Sequence, residues 1–146
     1  MQSTTLSDTT TLNSLLRGEM SAIETYRQAI EKFAGEPEVD QLRALRLDHR
    51  DAADALWHHI EGHGAKPSEG SGPWGTFAKA VEGSAKLLGN TAALKAMKEG
   101  EEHGLKDYQD ALEDGKLPAD CVELIRGFIA KQRQHIEWID RMMEKV

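Results

Sequence analysis

The chain has 146 residues, with 18 Lys and Arg against 25 Asp and Glu, a formal net charge of −7 and 39% hydrophobic residues. That size and balance suit one compact globular domain, not a disordered tail. The apolar runs are too short to span a bilayer, and an acidic chain without basic runs disfavours nucleic acid, whose binding rests on Lys and Arg neutralising phosphates.

The N-terminal stretch Met1 to Asn13 is Ser/Thr-rich and lacks an apolar core and basic residues, so it does not read as a secretory signal. The single cysteine, Cys121, cannot form an internal disulfide, which fits a cytoplasmic location. Ala, Leu, Glu, Lys and Gln dominate the long segments and no strand-like alternation persists, so helix is the expectation throughout. A first helix is expected from about Ser7 to Ala34, with Ser7 or Asp8 as N-cap and Gly35 as its stop. Pro37 suits the start of a second helix, running to about Gly62 and Gly64. A linker rich in glycine, serine and proline, Ala65 to Gly75, leads into a shorter helix from about Trp74 to Leu88. Gly89 ends it, and Asn90 can cap a third long helix over Thr91 to Asp114, closed by Gly115. Pro118 opens a fourth that runs to the C-terminus.

The turns at Gly35 and Gly115 are short, which forces each flanking pair of helices antiparallel. The crossover between the two hairpins, residues 65–90, can travel the length of a bundle and leave the second and third helices parallel. The chain also repeats itself. Gly18, Glu19, Ile23, Tyr26, Ala29 and Ile30 correspond to Gly100, Glu101, Leu105, Tyr108, Ala111 and Leu112, at an offset of 82 residues. Two equivalent hairpins explain that pattern.

Each long helix carries an apolar stripe at steps of three and four, and each stripe is interrupted near its middle by an ionisable residue. The interruptions are Glu19, His49, Glu101 and His135. Burying a lone carboxylate or imidazole costs several kcal/mol unless it is paired or bound to metal, so four of them ask for one shared explanation. Glu19 lies 16 residues before Gly35 and His49 lies 14 after it, at similar heights. Glu101 lies 14 before Gly115 and His135 lies 20 after it, a mismatch of roughly 9 Å at about 1.5 Å per residue. If the turn does not absorb the mismatch, Gln132 is better placed than His135.

Gly18-Glu19 followed by Tyr26 resembles the first-helix signature of rubrerythrin and other ferritin-like proteins. Hairpin, crossover with a short helix, and second hairpin resemble a family of uncharacterised bacterial ferritin-like proteins of this size, from about Leu12 to Met143. The resemblance implies an all-α, ferritin-like four-helix bundle as a single domain over residues 1–146. Relatives with a dinuclear iron or manganese centre use one Glu from each of two helices and a Glu-x-x-His from each of the others. Glu19 and Glu101 match the single glutamates, and His49 and His135 match the histidines. Arg46 and Gln132 stand where the two bridging carboxylates would be. The resemblance therefore implies an altered or lost dinuclear site. Asp48 points about 100° away from His49 around the helix, a poor replacement.

Two readings stay open at this point. One makes Glu19, His49, Glu101 and His135 the ligands of a mononuclear Fe, Mn or Zn ion. The other makes them a metal-free polar layer, completed by Arg46, Gln132, Tyr26 or Tyr108, that fixes helix register within a structural or interaction module. An Arg46–carboxylate contact is expected if the site is empty, and an outward Arg46 if it is filled. His59 and His63 share a face at i, i+4, a pair that could bind Zn(II) or Ni(II) adventitiously, but with His58 they read rather as a solvated helix end, and Cys121 reads as a small core residue with no basic neighbour. Trp57, Trp74 and Trp138 read as packing anchors. A crossover helix carrying Trp74, Phe77, Val81 and Leu88 would leave apolar area for a second copy, so a weak homodimer is expected.

Overall fold

A computed structural model of the chain describes residues 6–70 and 89–145. Within them the chain forms four long α-helices and no strand: α1 Leu6–Lys32, α2 Val39–Gly62, α3 Asn90–Glu113 and α4 Val122–Lys145. The expected short helix from Trp74 to Leu88 lies outside the described residues, and so does the apolar surface on which the homodimer rests.

The helix ends depart from expectation by a few residues, each for a local reason. Helix α1 already includes Leu6, so Ser7 and Asp8 lie within the helix and not at an N-cap position. Gly35 (φ +83°) makes the reversal after Phe33, whose carbonyl accepts from the Glu36 N–H at 2.9 Å. Pro37 sits in that turn, and α2 starts at Val39. Asn90 is the first residue of α3 and makes no cap; Gly89 holds the N-cap position without a side-chain bond. Pro118 is extended (ψ 144°), and a single 3₁₀ turn, Ala119–Cys121, precedes α4. That added turn, after the reversal at Gly115 (φ +63°), takes up the excess length of the second hairpin.

Helices α1 and α2 pair closely, as do α3 and α4; the hairpins then meet along α1 and α3, and only sparsely along α2 and α4. Gly18, Ser21 and Ala22 of α1 and Gly100 and Gly104 of α3 line a shared pocket beside the polar layer. Tyr26 reaches Glu101 while Tyr108 reaches Glu19, so α1 and α3 run antiparallel. With both hairpins antiparallel, α2 and α3 run parallel. The segment that follows α2 is fastened to α1. Asn13 accepts from the Ser68 N–H at 2.8 Å and donates to the Lys66 carbonyl at 3.1 Å, and Arg17 donates to the Ser68 hydroxyl at 2.9 Å.

The apolar interior comes in two parts. One, at the Gly35 end, is built from Phe33, Leu42, Leu45, Leu94, Met97, Ile139 and their neighbours. The other, at the Gly115 end, contains Leu12, Leu16, Leu56, Ile60, Ile125 and Ile129. Trp138 packs against the first and Trp57 against the second, as anchors. Between the two parts lies the polar layer.

Candidate functional site

All four residues that interrupt the stripes point inward: Glu19 is 4% exposed, His49 2%, Glu101 3% and His135 1%. They come from four different helices, and a fifth group joins them. His49 Nδ1 lies 2.5 Å from Glu19 Oε2, and its Nε2 lies 2.5 Å from Glu101 Oε1. His135 Nδ1 lies 3.3 Å from Glu101 Oε2, and its Nε2 lies 2.9 Å from Asp48 Oδ2. The result is one chain, Glu19–His49–Glu101–His135–Asp48, with Glu101 at its centre and the two imidazole rings 4.9 Å apart. One ligand atom from each of His49, Glu101 and His135 falls within 4.8 Å of the other two, while Glu19 and Asp48 stand behind the two rings.

Two tyrosines complete the carboxylates reciprocally. Tyr26 donates to Glu101 Oε1 at 2.7 Å and Tyr108 donates to Glu19 Oε1 at 2.5 Å. These are the repeat-related residues, each serving the other hairpin's glutamate. Burial and the facing carboxylates raise both phenol pKa values well above normal, so both remain donors. Tyr26 also stacks on the His49 ring at 5.3 Å between centroids.

Charge in the layer follows from its geometry. Burial alone would lower the His49 pKa, but Glu101 and Glu19 outweigh it and hold the value well above the ordinary one. Burial alone would raise Glu101, but the His49 charge and the His135 hydrogen bond hold it well below the usual carboxylate range.

The register mismatch does not displace His135. Glu101 and His135 are separated by 34 residues and Glu19 and His49 by 30, and the extra turn of chain is absorbed before α4. Gln132 and His135, three apart on one helix face, both reach Glu101. Gln132 Nε2 donates to its backbone carbonyl at 3.1 Å, and His135 approaches its carboxylate. Arg46 meets neither expectation. It donates Nε to the Ile23 carbonyl at 3.3 Å and, among the described residues, forms no ion pair with the layer.

Asp48 faces away from His49 around α2. That same rotation aims it across the seam at α4, where it meets His135 and, at 3.9 Å, Lys131. A cleft of about 130 Å³ opens there between α2 and α4, lined by Asp48, Asp51, His49, Lys131 and His135. Cys121 also departs from expectation. It is buried, but His59 Nδ1 lies 3.3 Å from its sulfur, so it does have a basic neighbour. Burial and the adjacent Asp120 push its thiol up to about 12.

These features define an all-α four-helix bundle whose core is crossed by a buried carboxylate–histidine layer able to hold a metal ion. No described helix is long and apolar enough to cross a membrane. The family described as a domain of unknown function, DUF2383, matches residues 7–114, and the chain belongs to it. Glu19, His49 and Glu101 fall inside the matched range, and His135 falls beyond it. No curated protein and no solved structure matches the chain.

Proposed function

We propose that the layer is a mononuclear metal centre, with His49 Nε2, Glu101 and His135 Nδ1 as ligands and Glu19 and Asp48 as the groups that orient the two imidazoles. One observation carries this reading. Four ring nitrogens each face a carboxylate oxygen, yet two neutral imidazoles bring only two N–H groups. The other two nitrogens need two protons, or one divalent cation seated between them and Glu101. Either filling leaves the same net charge. With the cation, the outer N–H groups donate to Glu19 and Asp48, the carboxylate–histidine–metal arrangement that fixes tautomer and ring orientation in metal sites.

Two histidines and one carboxylate, with positions left toward the α2–α4 cleft, form a donor set that Fe(II), Mn(II) and Zn(II) accept. A cleft of about 130 Å³ has room for several waters, each occupying about 30 Å³ in the liquid. The ferritin-like relationship belongs to this reading. The paired glutamates and tyrosines support it, while Arg46 and Gln132 in place of bridging carboxylates limit the site to one ion.

Elemental analysis of protein purified without chelators tests the proposal. About one Fe, Mn or Zn per chain is expected at this centre, lost in His49→Ala and Glu101→Gln while helical content persists. Glu19→Gln should weaken the metal by about 10–100-fold. Loading the metal-free protein below the His49 pKa should release the His49 proton, about one per ion. Ion stoichiometry untouched by either ligand substitution would overturn it.

A second reading has its own support. Among the described residues, the only buried side-chain polar atom without a partner is Gln28 Oε1, so protons alone can satisfy the layer. It would then act as a register-fixing network in a structural or interaction module. In that case His49→Ala costs stability, and wild type carries no metal at this centre.

A further inference from the structure

At the far end of α2, His59 and His63 share a helix face one turn apart, and Asp120 and Cys121 face them from the 3₁₀ turn that starts α4. His63 Nε2 lies 2.9 and 3.1 Å from the two Asp120 oxygens, and His59 Nδ1 lies 3.4 Å from Asp120 Oδ2. Cys121 Sγ lies 3.3 Å from His59 Nδ1 and 3.8 Å from Asp120 Oδ1. One donor atom from each residue falls within 4.8 Å of all the others.

We propose that these four side chains form a second metal site, distinct from the core layer, which binds a zinc-type divalent ion and clips α2 to the start of α4. The donor set is two imidazoles, one thiolate and one carboxylate, all of them zinc ligands. With Zn–N and Zn–O near 2.0–2.1 Å and Zn–S near 2.3 Å, a tetrahedral shell has edges of about 3.3–3.6 Å. The His59–Cys121, His59–Asp120 and His63–Asp120 spacings of 3.3, 3.4 and 3.1 Å are close to those edges, and the remaining pairs lie within 4.8 Å, so side-chain adjustments complete the shell.

Charge balances as well. A thiolate and a carboxylate neutralise one divalent cation, leaving no net charge at a half-buried site. The sulfur is fully buried while the Asp120 side chain is 57% exposed, so the ion has an entry path on one flank. The location gives the clip a purpose, because α2 and α4 form the most sparsely packed neighbouring seam of the bundle. An ion joining residues 59 and 63 to 120 and 121 crosslinks the two hairpins across it.

Cobalt(II) titration of the reduced, metal-free protein tests the site, because only thiolate ligation produces a near-ultraviolet sulfur-to-cobalt charge-transfer band. The band should reach the amplitude of one thiolate-bound cobalt per chain, be displaced by Zn(II), vanish in Cys121→Ser and weaken at least tenfold in apparent affinity in His63→Ala. It should persist in Glu101→Gln, which lacks the core ligand, so failure of one centre is separable from failure of the other. Should Cys121→Ser fold poorly, thiol alkylation of the wild type serves instead: Zn(II) should slow it at least tenfold. Absence of the band, its persistence in Cys121→Ser, or alkylation indifferent to Zn(II) would overturn the proposal.

Discussion

His49 has a carboxylate on each ring nitrogen, and each of those carboxylates also takes a tyrosine hydroxyl. The layer's stability therefore depends on two O–H groups contributed across the hairpin interface. Replacing Tyr26 or Tyr108 by Phe keeps a buried ring and removes one donor to an ionised acceptor. Each change should cost about 1.5–3 kcal/mol by urea unfolding, the usual worth of a hydrogen bond to a charged group. The reciprocal geometry makes the two costs similar. A cost under about 0.5 kcal/mol for either would show that its glutamate does not depend on the hydroxyl.

At the scale of the helix, Gly104 and Gly127 separate propensity from packing. A Cβ built on Gly127 meets nothing within 4 Å, whereas one on Gly104 comes within 2.7 Å of Gln132 Nε2. Gly127→Ala should therefore stabilise the protein by about 0.5–1 kcal/mol through backbone entropy alone. Gly104→Ala gains the same term but pushes Gln132 off the Glu101 carbonyl, a loss of about 1 kcal/mol that brings the net change near zero. Equal stabilisation by both would mean that the Gln132 bond contributes nothing.

The elements themselves were largely legible. Gly35 and Gly115 mark the reversals, the three-four spacing marks the buried faces, and the repeat around Glu19 and Glu101 marks two equivalent hairpins. The interruptions of the stripes named the layer's residues, because a polar group at a core position is conspicuous in any helical pattern. Their pairing was not legible. Which tyrosine serves which glutamate depends on the antiparallel α1–α3 contact, and no local pattern encodes it. Asp48 illustrates the same limit. A 100° rotation on its own helix excludes it from His49, but the position of α4 makes it the partner of His135. Likewise the neighbour of Cys121 is His59, 62 residues away in sequence.

For the molecule as a whole, the raised His49 pKa and the lowered Glu101 pKa define a pH window for the metal-free protein. A raised histidine contributes fully below its ordinary value near 6.5 and loses that contribution as pH rises through its folded value. A lowered glutamate contributes fully above its ordinary value near 4.5 and loses that contribution as pH falls through its folded value. Stability from the layer should therefore be greatest between roughly pH 4.5 and 6.5. It should decline in alkali with a slope approaching about 1.4 kcal/mol per pH unit for the single His49 proton. Urea midpoints in chelator measure this, and His49→Gln should flatten the alkaline limb. Parallel wild-type and mutant limbs would sink the assignment.

The placement of the layer between two apolar clusters has a consequence for how this sequence can vary. Leu42, Leu94 and Ile139 pack in one cluster, Leu56, Ile60 and Ile125 in the other, so each interior can exchange its hydrophobic residues without compensation from the far one. The polar residues between them have no such latitude. Glu19, Tyr26, His49, Glu101, Tyr108 and His135 each satisfy at least one of the others, and a change at any of them strands a buried neighbour. Two ends free to drift and a middle locked as a set is the pattern of variation this architecture imposes on its descendants.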